Sequence, residues 1–353
     1  MKRKMRILLI VLIFLAIPTV LLIASGDFFP KENPPYEVGF ISSSTHDTIF
    51  VRNAIEGAYD ASKSDAINAE LYRLPDNTTE GFQKTVARAI EQGSNMIISS
   101  GYDAGKPMLE SALLHPNTSF VMVDADFSEF PDNFANIVFR SNEPSFIAGY
   151  IAGKMTKTGR IGFLGGVESD SVQTFYYGFK AGIDASAAEN GKTITLIPYY
   201  TDTFSDPSVG YDTGKRMYQD GGVDIIFTVA GDTGLGCIQA AKELDKYVIG
   251  VDTDQNYLAP LNVLFSVTKC IPTVVSEVVK GYAEDDSPRD EDGLISVGYA
   301  DYGVAIATVI DDVPAGVQAD AAALEGLIRE GKISVPSTKA EYDAWALPIF
   351  IAP

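Results

Sequence analysis

Residues 94–127, Ser94-NMIISSGYDAGKPMLESALLHPNTSFVMVDAD-Phe127, and residues 222–255, Gly222-VDIIFTVAGDTGLGCIQAAKELDKYVIGVDTD-Gln255, carry one pattern twice. Each reads as a buried apolar run, a turn containing glycine, a stretch with helical spacing, and a second apolar run ending in an acidic turn. A repeated strand–turn–helix–strand unit predicts two similar α/β halves with a cleft between them.

The same reading extends upstream of both copies. Before the first, Val38 to Ser42 is a short apolar run, Phe50 to Ala61 has helical spacing, and Phe82, Val86, Ala89 and Ile90 mark another helical face. Before the second, Arg160 to Gly165 reads as a strand, Phe175 to Ile183 as a helix, Thr193 to Pro198 as a strand and Val209 to Tyr218 as a helix. Each half is therefore expected to run β-α-β-α-β-α-β. Strands that are continuous Val/Ile/Phe runs separated by helices belong to parallel sheets covered on both faces. The fold class is α/β, with two doubly wound parallel-sheet lobes. Ligands of such sheets sit beyond the carboxyl ends of the strands, where Asp124 and Asp252 occupy matching positions.

At 353 residues the chain has room for two domains of ordinary size. Its first residues, with Lys2, Arg3, Lys4 and Arg6 ahead of an apolar run from Ile7 to Ala24 broken by Pro18, read as an export leader. The run is longer than the usual signal core of about 7 to 15 residues and shorter than a comfortable span of about 20, so residues 1–30 fit a cleaved signal or an N-terminal membrane anchor. No cysteine follows the run, so no lipoprotein signal is read there. Residues 26–36 form a tether, and the folded part is expected outside the cytoplasm.

A formal charge of −20 argues against nucleic acid, whose phosphates require a basic face. The two cysteines, Cys237 and Cys270, are an even count that permits a disulfide in an exported protein, but they fall at helix starts after different strands, which need not be within reach, and read first as buried free thiols. They are too few for a cysteine metal site, and no metal or cofactor is called for.

Chemistry is equally constrained. His46 and His115 are the only histidines, and neither sits in a G-x-S-x-G, H-E-x-x-H or P-loop motif. His115, before Pro116, reads as a helix-end residue, whereas His46 lies beside Asp47 in the loop after the first strand. Gly231, Gly234 and Gly236 form a tight strand-to-helix turn that could equally line a ligand. Asp47, Asp124 and Asp252 follow strands on the cleft side, as does Lys269. That set suits an uncharged, hydroxyl-rich ligand, because carboxylates accept hydroxyl or ring N–H donors and a lysine can donate beside them. The same aspartates could cap turns, or act as a carboxylate pair in glycoside hydrolysis. Phe50 and Phe204, both in loops, are either core plugs or flat platforms for a base.

Taken together, several blocks make the chain resemble the basic membrane protein family of solute-binding proteins, which includes purine nucleoside receptors of ABC importers. These blocks are Asn136-IVFRSNEPSFIAGYIAGKMTKTGRIGFLGG-Val167, Phe204-SDP-Ser208, Val223-DIIFTVAGDTGLGCIQAAKEL-Asp245, Val248-IGVDTD-Gln255 and Phe265-SVT-Lys269. The resemblance runs from about Tyr36 to Val335. It implies a periplasmic-binding-protein-like type I fold whose chain crosses between lobes near Arg140, Lys269 and Leu294. Lobe 1 would then hold residues 36–140 and 270–293, and lobe 2 residues 141–269 and 294–353. It also implies a ligand site of Asp47, Phe50, Asp124, Phe204, Gly231, Asp252 and Lys269, with a base between aromatics and a ribose on an aspartate and a lysine.

Three departures stand out: Val51 where the family usually has Asn, Ile55 where an aromatic is common before the Glu-Gly pair, and the missing lipoprotein cysteine. The resulting expectation is a monomeric, non-enzymatic receptor that binds a nucleoside-like ligand and docks on an ABC permease. A sensor ectodomain of the same fold and an exported nucleoside or glycoside hydrolase are the alternatives.

Overall fold

The computed structural model describes residues 34–42, 47–127 and 129–346. The expected leader, residues 1–30, and His46 lie outside the described residues. From Tyr36 onward the chain forms one compact unit.

The first part of that unit runs β1 (Tyr36–Ser42), α1 (Ile49–Ala61), β2 (Ile67–Arg73), α2 (Thr79–Glu91), β3 (Met96–Ser100), α3 (Gly105–Leu114), β4 (Ser119–Val123) and β5 (Phe134–Phe139). The second repeats it as α4 (Asn142–Met155), β6 (Arg160–Gly165), α5 (Asp170–Asn190), β7 (Thr195–Tyr200), α6 (Pro207–Gln219), β8 (Ile225–Val229), α7 (Thr233–Glu243), β9 (Tyr247–Asp252) and β10 (Val263–Lys269). The chain then continues through α8 (Ile271–Ala283), β11 (Leu294–Val297), β12 (Val304–Ala307), α9 (Ala315–Arg329) and α10 (Lys339–Ala344).

Among the described residues the strands form two six-stranded sheets, ordered β11-β5-β4-β3-β1-β2 and β12-β10-β9-β8-β6-β7. The order β2-β1-β3-β4-β5 recurs as β7-β6-β8-β9-β10, so the duplication read in the sequence is a duplication of topology. Pairing is parallel throughout except for β12 on β10. The inner strands β3 (MIISS) and β8 (IIFTV) are buried at every residue, as helices on both faces require, whereas edge strand β7 is half-buried or exposed along its length. In each sheet the chain reverses direction of winding between its first and third strands, which places a crevice at their carboxyl ends.

Each sheet holds more strands than the four expected, and one boundary differs from expectation. β11 begins at Leu294 but pairs in parallel with β5, Leu294 against Asn136 through Val297 against Phe139. The crossing expected near Leu294 therefore lies beyond Val297, and β12 is the strand that joins the second sheet. Four-residue edge strands beside an acidic loop carry too little periodicity to be assigned from sequence.

The links between sheets are bound to each other. Arg140, just after β5, donates its backbone N–H to Val297 O (2.8 Å) and pairs with Glu143 and Asp301, each at 2.7 Å. Glu143 in turn accepts from Tyr299 N at 2.6 Å. Cys270 N donates to Gly303 O at 2.8 Å, which ties the β10–α8 link to the same segment. In the second lobe, α4 and α5 approach closely through Gly149 and Gly182. A Cβ on Gly149 would strike the Phe179 carbonyl oxygen, and one on Gly182 that of Phe146. Both cysteines are free. Cys237 is buried, and burial pushes its thiol up to about 12. Among the described residues no helix is long and apolar enough to cross a membrane.

Candidate functional site

The site begins at the carboxyl ends of β4, β9 and β10. Asp124 and Asp252, the matched strand-end aspartates, both adopt left-handed backbone conformations, φ 55° and 65°. Aspartate tolerates this region better than most residues, and the two positions are equivalent strand ends of the duplication. Lys269, the last residue of β10, donates to Asp124 Oδ2 from the other sheet. Its ammonium also lies 5.2, 5.5 and 4.8 Å from the ring centres of Phe50, Phe139 and Phe175. A buried cation is tolerable there because one carboxylate and three ring faces surround it.

Asp252 is 7% exposed, and its side chain has no hydrogen-bond partner among the described residues. Burial, with the charges of Asp124 and Asp232 adding to it and that of Lys269 opposing it, pushes its carboxyl up to about 6. An unsatisfied buried carboxylate is costly unless something donates to it.

Around this centre the remaining expected residues fall into two groups. Phe50 is in the first turn of α1, against Lys269. Thr48 caps that helix by accepting from Val51 N at 3.5 Å. Asp47 is buried, but its carboxylate is already engaged, accepting from Ser42 Oγ and, at 2.5 Å, from Arg73. Its remaining lone pairs, rather than a free carboxylate, are what it offers a ligand.

On the second lobe, Phe204 lies against the β8–α7 turn. Gly231 has φ 54°, and a Cβ there would come within 3.0 Å of Phe204 O, so glycine is needed both for the conformation and for the approach. Thr233 N donates to Phe204 O at 3.2 Å, fixing loop to turn. Val51 and Ile55, the two departures on α1, are half-buried against the core.

Sequence reasoning missed several groups here. Tyr102, half-exposed after β3, faces Phe204 across the cleft with ring centres 6.2 Å apart. Asp126 accepts from Ser171 N and Oγ, both at 3.0 Å, and Asp232 accepts from Ile49 N at 3.1 Å. Asp126 and Asp232 were visible in the acidic turn VDAD and in AGDTG, but nothing in a linear pattern says that they reach the opposite lobe.

Two parallel α/β sheets joined by three crossings, with charged and aromatic side chains from both converging on one cleft, define a two-lobed solute-binding protein. The family described as ABC transporter substrate-binding protein PnrA-like, Bmp, matches residues 38–339. The chain is 34% identical over 274 residues to basic membrane protein A1 of Borrelia garinii subsp. bavariensis, covering 76% of this chain and 80% of that one. It is 39% identical to basic membrane protein D of Borreliella burgdorferi over 212 residues, 59% of this chain and 61% of the relative, so this match spans less than two thirds of that relative's length. An ABC transporter solute-binding protein from Aeropyrum pernix K1 has the same fold, with TM-score 0.73 at 21% identity, covering 88% of this chain and 96% of that structure. A solute-binding protein from Conexibacter woesei superposes with TM-score 0.62 at 19% identity, over 86% and 99%. The chain belongs to the Bmp family of PnrA-like ABC transporter substrate-binding proteins, and its fold is of the periplasmic-binding-protein type I.

Proposed function

We propose that this protein is the extracytoplasmic receptor of an ABC importer, that it holds a nucleoside, a purine nucleoside first, between its lobes, and that it presents the closed form to a membrane permease. The leader would carry the chain across the membrane and keep it there. The observation that carries the ligand reading is Asp252, a buried carboxylate without a donor beside the Lys269–Asp124 pair. Ribose hydroxyls are the donors that such a carboxylate lacks, and Lys269 can give one of its protons to a ribose oxygen. Phe50 on the first lobe and Phe204 on the second supply apolar faces for the base. Membership of the family supports the receptor role without fixing the ligand.

The hydrolase alternative is disfavoured by the same geometry. Asp124, the carboxylate at the strand end matching Asp252, is bound by Lys269, so the two do not form a free acid–base pair. The test is a calorimetric titration of refolded, ligand-stripped protein with guanosine, inosine, adenosine, cytidine and simple sugars. Saturable binding of a purine nucleoside without release of free base or sugar supports the proposal. Binding confined to another chemical class, or appearance of free base, contradicts it.

A further inference from the structure

Asp126 and Asp232 have no part in the ligand reading above, yet each reaches across the cleft. Asp126 follows β4 in the first sheet, and its Oδ1 accepts from the backbone N–H and the hydroxyl of Ser171, in the first turn of α5 behind the second sheet. Asp232 follows β8 in the second sheet, is 5% exposed, and its Oδ1 accepts from the N–H of Ile49, the first residue of α1 behind the first sheet. α1 and α5 are equivalent helices of the duplication, each following the first strand of its half. Each lobe thus supplies an aspartate to the first turn of the other lobe's equivalent helix.

First-turn N–H groups have no partner inside their own helix and form the positive end of its dipole, so a carboxylate is favoured there. With the lobes apart, these donors and acceptors turn to water. The contacts exist only when the lobes meet, and they use no ligand atom. They therefore favour the closed arrangement whether or not the cleft is filled. The balance is fine, because Asp126 Oδ2 is buried without a partner, which opposes the gain at Oδ1.

We propose that Asp126 and Asp232 are positioning residues that form a reciprocal latch between the lobes, setting the closed fraction of the ligand-free receptor and slowing ligand release. The proposal rests on the two-lobe closing reading but not on which ligand fills the cleft. A receptor whose competent form is only partly populated binds more weakly by that fraction, so the latch tunes affinity without touching the ligand.

The test uses the full chain, stripped of ligand by unfolding and refolding, as wild type, as the double variant Asp126→Ala with Asp232→Ala, and as the double variant to Asn. Small-angle scattering of the ligand-free protein and stopped-flow release of guanosine are measured. The Ala variant should show a larger ligand-free radius of gyration, an unchanged melting temperature and roughly tenfold faster release. The Asn variant, which keeps an acceptor at each position, should stay close to wild type. A ligand-free scattering profile that is the same in wild type and the Ala variant overturns the latch. If guanosine does not bind wild type, the nucleoside reading fails while the scattering comparison still decides the latch.

Discussion

Lys269, the last residue of β10, and Asp124, the residue after β4, form an ion pair between strands of different sheets, with side chains only 5% and 8% exposed. Taking two charges out of water is expensive, and their attraction repays it only while both are present. The pair is therefore both a clasp between the lobes and a liability if broken.

Lys269→Met should leave the Asp124 carboxylate buried without compensation. The expected loss is about 3 kcal/mol from the closed state, read as roughly a hundredfold weaker ligand binding by calorimetry. Adding Asp124→Leu to the same chain should recover thermal stability but not binding. Recovery of both would mean that the pair is structural only.

The raised carboxyl of Asp252 predicts a pH dependence of definite sign. Its ordinary value is 3.8 and its folded value about 6. The folded protein thus holds the proton more tightly than the unfolded chain does. The group's stabilising contribution is complete below about pH 4 and is lost as pH rises through about 6. Asp252→Asn should therefore melt higher than wild type at pH 7.5, by up to about 3 kcal/mol of stability, and the two should converge near pH 4. Ligand affinity should move the other way, because a hydroxyl donates more strongly to the charged carboxylate than to the neutral acid. Wild-type affinity should fall by up to about tenfold per pH unit below 6, and the variant's should be flat. Parallel curves for both proteins would remove Asp252 from this role.

Two glycine substitutions separate packing from propensity. Gly182→Ala places a methyl group on the Phe146 carbonyl oxygen and should force α4 and α5 apart, at a cost of about 3 kcal/mol or more. Gly326→Ala, inside α9 with nothing within 4 Å, should instead stabilise by up to about 1 kcal/mol. Urea unfolding measures both, and equal effects would contradict the close approach of the two helices.

The duplication was legible because buried parallel strands such as residues 96–100 and 225–229 are short unbroken apolar runs between helices. Asp124, Asp252 and Lys269 were legible for the same reason, since each stands where an apolar run stops. What escaped were the long-range features. β11 is four residues long, and its membership of the first sheet depends on pairing with β5 more than 150 positions earlier in the chain. The engagement of Asp47 by Arg73 links the residue before the α1 cap to the end of β2, which are neighbours only through the sheet. Likewise Tyr102, Asp126 and Asp232 read as ordinary turn residues until the second lobe is set against the first.

Phe204→Ala should remove one face of the proposed base site while leaving the loop's backbone contact with Thr233 in place. A weakening of purine nucleoside binding by about tenfold, with little change in melting temperature, is the expected result. An equal loss of stability would identify Phe204 as a core plug.

If Asp252 holds a nucleoside in the cleft, calorimetric titration of guanosine into refolded wild type and Asp252→Ala separates the two proteins. Wild type should show one saturable site, and the variant should bind about tenfold or more weakly, near 1.5 to 3 kcal/mol for a lost charged hydrogen bond. Guanosine bound equally well by both proteins, or by neither while a ligand of another class binds, would contradict it.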